Sequence, residues 1–142
     1  MIKVSDWLEK VQADLLVSAP EVRSIGFARD LSNLRTGKPK SLPAVYILPL
    51  SESAKPIDST QQSGDYVEME VEIVYIASDM VSDEGDSLSD IREDVHASLV
   101  GWQPEEAVYP AHFRRGSRVG YAKGMISWSD VFKIDFVRTN NE

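Results

Sequence analysis

Apolar and polar residues alternate with period two from Tyr66 to Ala77, which predicts one long β-strand. Val67, Met69, Val71, Ile73 and Tyr75 share one face, while Glu68, Glu70 and Glu72 hold the other until Val74 and Ile76 take over. Twelve residues at about 3.3 Å each span roughly 40 Å, long for a small domain, so the acidic first half is expected to extend past the core. Such a strand serves either as a hairpin arm with one wet face or as an arm or inner wall touching a neighbouring subunit.

Two stretches carry helical periodicity instead. Trp7, Leu8, Val11 and Leu15 make a stripe behind a cap at Ser5, with Asp6 and Glu9 in the first turn and Pro20 beyond the end. Leu88, Ile91, Val95 and Leu99 make the second stripe, capped by Asp86 or Ser87 and stopped by Gly101, with Trp102 and Pro104 pinning the exit. Val22–Ala28 reads as a short strand whose Gly26 points to an edge or bulge. Ala44–Leu50, apolar on both faces, reads as a covered strand that ends at Pro49. Phe113–Tyr121 and Met125–Val137 form a hairpin, with Trp128, Phe132, Ile134 and Phe136 on one face of the last strand and Val131, Lys133 and Asp135 on the other. Residues 30–42 and 51–64 are expected to be mobile loops.

The order is α-β-β-β-α-β-β: an α+β fold with an antiparallel or mixed sheet of about five strands and two packed helices, and a long hairpin joining the second and third strands. A length of 142 residues fits one domain covering 1–142. Without cysteine, disulfides, Cys-based zinc sites and thiol catalysis are excluded. The N-terminus lacks the pattern of a secretion signal, and the longest apolar run is too short to cross a bilayer, so a soluble protein made in the cytoplasm is expected, with no membrane partner.

The net charge of −8 speaks against gripping duplex DNA. Its distribution is uneven: from Asp65 to Asp94 the acids face one base, Arg92, while past His112 the bases Arg114, Arg115, Arg118, Lys123, Lys133 and Arg138 prevail. Opposite patches suit head-to-tail self-association, and they equally suit internal pairing across a sheet.

Catalytic chemistry has little to draw on. Gly37-Lys38 is followed by Pro39 where a phosphate loop needs Ser or Thr, and the acids of Asp79–Asp86 miss the calcium-loop spacing. His96 and His112 are the only imidazoles, and His96 reads as a surface or interface side chain and not a metal ligand. No enzyme, cofactor or metal site is expected.

The helix ending Leu99-Val100-Gly101-Trp102-Gln103-Pro104, the glycine-bearing hairpin and the closing strand from Trp128 to Phe136 resemble the tail terminator, or tail completion, proteins of long-tailed bacteriophages. The order of elements matches over nearly the whole chain. The resemblance implies a non-enzymatic virion protein, made in the host cytoplasm and placed at the neck-proximal end of the tail. It implies a homo-oligomeric ring, expected to be a hexamer, that ends tail-tube polymerisation and offers a surface to the head–tail connector or stopper protein. DNA would only pass through the lumen, without sequence-specific binding. On this reading Glu68, Glu70 and Glu72 face the lumen or a subunit interface. Arg114, Arg115, Arg118 and Lys123 contact an adjacent subunit or the tube, and Gly101, Trp102, Pro104, Trp128, Phe132 and Phe136 belong to the core and motif. The alternatives are another neck, tail-tube or baseplate component, or a non-phage α+β protein-binding domain.

Overall fold

A computed structural model describes residues 1–18, 24–27, 43–57, 64–78, 84–122 and 125–139. Helix α1 spans Val4–Ser18, followed by strands β1 (Ser24–Phe27), β2 (Ala44–Pro56) and β3 (Gly64–Ser78), helix α2 (Glu84–Leu99), and strands β4 (His112–Ala122) and β5 (Met125–Thr139). This is the α-β-β-β-α-β-β order that periodicity predicts. The strands form one mixed sheet in the order β1-β2-β3-β5-β4, in which only β1 and β2 run parallel.

Both helices lie on one face of the sheet and build the main core with it. The α1 residues Trp7, Leu8, Val11 and Leu15 and the α2 residues Leu88, Ile91, Val95 and Leu99 are all buried against Val67, Val71, Ile73, Phe132, Ile134 and Phe136. Burying side chains of this size stabilises by roughly 1.5–3 kcal/mol each before the entropy of ordering them is subtracted. Ala44, Tyr46, Val74 and Ile76 form a smaller buried cluster on the opposite face.

Three expectations need correction. The acidic half of the long strand does not run past the core: Val67 and Met69 are buried within it, so β3 contributes core along its whole length. Second, β2 does not end at Pro49. Ser51–Pro56, expected as the start of a loop, pairs with Asp65–Glu70 after a register shift between Pro49 and Ser51. Proline is tolerated there because β1 pairs only with Ala44–Ile47, so the rest of β2 is a sheet edge among the described residues. Third, the helix starts differ. The Asp6 carboxylate, not Ser5, caps α1 by accepting the Lys3 N–H at 2.7 Å, and α2 begins at Glu84, placing Asp86 and Ser87 inside its first turn. Residues 30–42 and 58–63 lie outside the described residues.

Gly101 adopts φ +88°, the left-handed conformation that ends α2, and the Trp102 N–H closes the turn on Leu99 O at 3.0 Å. Trp102 packs edge-on against Trp7 with ring centroids 5.1 Å apart, tying the exit of α2 to α1. Pro104 is half-buried, and its carbonyl accepts the Ala107 N–H at 2.9 Å.

Candidate functional site

Period-two alternation turns Tyr66, Glu68, Glu70 and Glu72 of β3 away from the helices, onto the open face of the sheet. Register places Glu70 between Ser51 of β2 and Lys133 of β5, and Glu68 between Ser53 and Asp135. Ser51 Oγ donates to Glu70 Oε1 at 2.9 Å. Lys133 Nζ lies 3.4 Å from Glu68 and 3.5 Å from Asp135, and Arg115 reaches Glu70 at 3.6 Å. The β4 strand is bulged between Phe113 and Arg115. Arg114 lines a small cavity of about 80 Å³ with Ser51, Ser53, Glu68, Glu70 and Lys133, so two consecutive arginines lie beside the acidic row.

The expected acidic and basic patches are therefore partly interleaved within one chain. Arg115, Lys133 and Arg138 pair internally with Glu70, Glu68 and the Glu52–Asp65 pair. Arg114, Arg118 and Glu72 make no ion pair with the described residues, and Lys123 lies outside them. The more exposed of these pairs contribute about 0–1 kcal/mol each, while Lys133 and Asp135 are largely shielded from water, at 15% and 13% side-chain exposure.

At the end of this face the Tyr66 hydroxyl donates to Asp135 Oδ2 at 2.7 Å. That bond, reinforced by partial burial and the carboxylate charge, pushes the phenol up to about 12. Because the folded value is raised, the stabilisation is complete below the ordinary tyrosine value near 10 and is lost as pH climbs toward 12. Following the Tyr66 ring signal by NMR through an alkaline titration is expected to give that late midpoint, and Asp135→Asn is expected to move it back toward 10.

The helix face holds a second constellation, which the sequence pattern left unassigned. Asp130 of β5 is fully buried and accepts hydrogen bonds from Arg92 Nε at 3.0 Å, Arg92 Nη2 at 2.8 Å and Trp128 Nε1 at 2.9 Å. His96 Nε2 lies 3.0 Å from Oδ2, the oxygen that also accepts from Arg92 Nε. The Arg92 guanidinium also stacks over the Trp128 ring at 4.6 Å, and the His96 ring packs against Phe113 and Phe132. Burial alone would raise the Asp130 pKa, but the hydrogen bonds from Arg92, His96 and Trp128 outweigh it and hold the carboxyl below its usual range.

His96 is thus no simple surface residue; it is a half-buried partner of Asp130. Trp128, expected in the core, sits half-buried at its rim with the indole N–H turned to the carboxylate, while Phe132 and Phe136 are fully buried as expected. Gly116 of β4 completes the cluster, because a Cβ there would lie 2.4 Å from Asp130 Oδ1. The signal was present: Asp130 is in phase with Trp128, Phe132, Ile134 and Phe136, a charge on the buried face that demands a partner. Arg92 and His96, one helical turn apart, supply it and fasten α2 to the β4–β5 hairpin.

Among the described residues no group of three or more His, Asp or Glu is arranged to hold a metal ion, and no helix is long and apolar enough to cross a membrane. The family model for the phage tail terminator protein matches residues 6–142. No curated protein matches the chain. Among solved structures, a chain from the virion of a native gene transfer agent particle is similar in fold, with a TM-score of 0.52 at 15% identity, over 94% of this chain and 91% of that one.

Proposed function

The chain belongs to the phage tail terminator protein family, and on that premise we propose that this tail structural protein forms a ring on the end of the tail tube, stops its polymerisation and presents a surface to the head–tail connector. The family match over residues 6–142 carries the reading. The role is structural and not enzymatic, the ring is a hexamer, and its place is the neck-proximal end of the tail.

Features of the subunit support this assignment. A net charge of −8 keeps passing DNA from being gripped, since phosphate binding draws on clustered cations. The row of Glu68, Glu70 and Glu72 is assigned to the inside of the ring, as lumen wall or against the next subunit. Arg114, Arg115, Arg118 and Lys123 are assigned to contacts with a neighbouring subunit or the tube, where the exposed cations of β4 steer and orient an acidic partner surface.

Charge reversal tests the assignment. The double variant Arg114→Glu/Arg115→Glu is expected to lower ring formation and tube-end occupancy about tenfold or more, the equivalent of about 1.4 kcal/mol per tenfold. Folding stability should fall by no more than about 1–3 kcal/mol, because Arg115 is exposed while the Glu70 Oε2 that it faces is buried. Native mass measurements and images of tube ends read the first quantity, and denaturant unfolding reads the second. An unfolded variant would place these arginines in an internal network instead.

A further inference from the structure

We propose that β4 is a docking edge, taking a short, extended, acidic segment of a different protein as an added strand of the sheet. Among the described residues the open edges of the sheet are β1 and the outer half of β2 on one side and β4 on the other, and they differ in character. The outer half of β2 carries Pro49 and Pro56 and a register shift between Pro49 and Ser51, devices that remove donors and bend an edge out of reach. The β4 edge contains no proline, and its side chains from His112 to Val119 are all exposed.

Unpaired edges are commonly guarded by lysine. The described part of β4 has none and carries Arg114, Arg115 and Arg118 instead, the cation enriched at protein contacts. The two exposed aromatic residues among the described ones, Tyr109 at 60% and Phe113 at 37%, lie on or just before this strand, as do exposed Val108 and Val119. Arginine, aromatic and aliphatic groups along one free backbone edge make the composition of a contact surface, which the two register shifts of β4 confine to the regular stretch between them.

Geometry limits the occupant. Register shifts between Phe113 and Arg115 and between Arg118 and Gly120 leave a regular stretch from Arg115 to Arg118, room for a segment of about four to six residues. Charge selects an acidic one, since Arg114 and Arg118 have no ion-pair partner among the described residues and the bond from Arg115 to Glu70 is long, at 3.6 Å. A neighbouring subunit can meet these arginine side chains without pairing with the backbone edge, which a second copy of this chain complements poorly. Of the free edges it would offer, β1 has no acidic residue, β4 carries the same arginines, and the proline-bearing half of β2 has one acid, Glu52, which lies 3.6 Å from Arg138.

The choice of a protein strand as occupant rests on the tail reading above. The test uses the full chain with three probes: a capped (Glu-Val)4 peptide, its (Lys-Val)4 counterpart and a thymidine oligonucleotide. Backbone amide exchange is followed residue by residue. The acidic peptide is expected to slow exchange along 112–119, and Arg114→Glu/Arg118→Glu to weaken its binding about tenfold or more, with unchanged circular dichroism. Equal binding of the basic peptide, preferential binding of the oligonucleotide, or acidic-peptide binding without β4 protection would overturn the proposal. Protection that arises from raising the protein concentration alone would assign the edge to a second copy and overturn it as well. A chain that ignores tube ends yet binds the acidic peptide along β4 would defeat the tail reading and leave this inference standing. Capped tubes with β4 still freely exchanging would do the reverse.

Discussion

Replacing Arg92 by alanine is expected to destabilise the fold by about 3–5 kcal/mol, because it strands a buried carboxylate without its charged partner. Asp130 is fully buried while Arg92 retains 28% side-chain exposure, so the two members of the pair are unequal. Removing the carboxylate leaves a guanidinium that can still turn toward water. Removing the guanidinium leaves a carboxylate with Trp128 and His96, and the buried Tyr75 hydroxyl beside them, to satisfy it. Asp130→Ala is therefore expected to cost less than Arg92→Ala. The pH dependence separates this explanation from simple loss of packing. In the native protein Asp130 is depressed, so its contribution is present above the unfolded carboxylate value near 3.9 and fades as pH falls through the lower folded value. In the variant, burial is no longer outweighed by Arg92 and raises that carboxyl, which then takes up a proton as pH falls and relieves the penalty. The gap between native and variant in urea unfolding should be wide at neutral pH and should narrow on acidification. A gap independent of pH would mean that the arginine acts through packing alone.

Gly116→Ala is expected to cost about 1–3 kcal/mol although the site lies on an exposed edge strand, where most substitutions change little. The added methyl would sit 2.4 Å from Asp130 Oδ1, 3.0 Å from Trp128 Nε1 and 3.2 Å from Arg92 Nη2. These are ends of side chains, which ordinarily yield. Here three side chains converge on the carboxylate through four nitrogens, and moving it breaks bonds on all sides. The two substitutions should then be strongly coupled. In the double variant Gly116→Ala/Asp130→Ala the clash disappears with the carboxylate, so the combined loss should fall short of the sum by about 1 kcal/mol or more. Additive losses would show that the methyl is accommodated without disturbing Asp130.

Local pattern carried much of this structure. Both helix stripes and the core face of β5 follow from spacing alone, because each needs only one face toward a common core. The extension of β2 through Ser51–Pro56 did not, since a polar run between prolines has loop character and becomes a strand only through pairing with distant β3. The open face was half legible. Alternation placed Glu68, Glu70 and Glu72 together, yet their pairing with Lys133 and Arg115 depends on strand order and on a bulge in β4. The Asp130 cluster was legible only as an anomaly, a charge in phase with aromatics. Its partner Arg92 lies 38 residues earlier on a helix, where it looks like any solvent-facing cation.

The proposed arrest of tail-tube growth by this chain is read from the length of tubes polymerised from purified tube protein with and without it. Added before polymerisation is complete, the chain should shorten the tubes in proportion to its concentration, and electron microscopy should find it as rings at tube ends and absent from tube sides. Tubes of unchanged length, with the chain remaining a monomer or binding along their sides, would show that it does not terminate them.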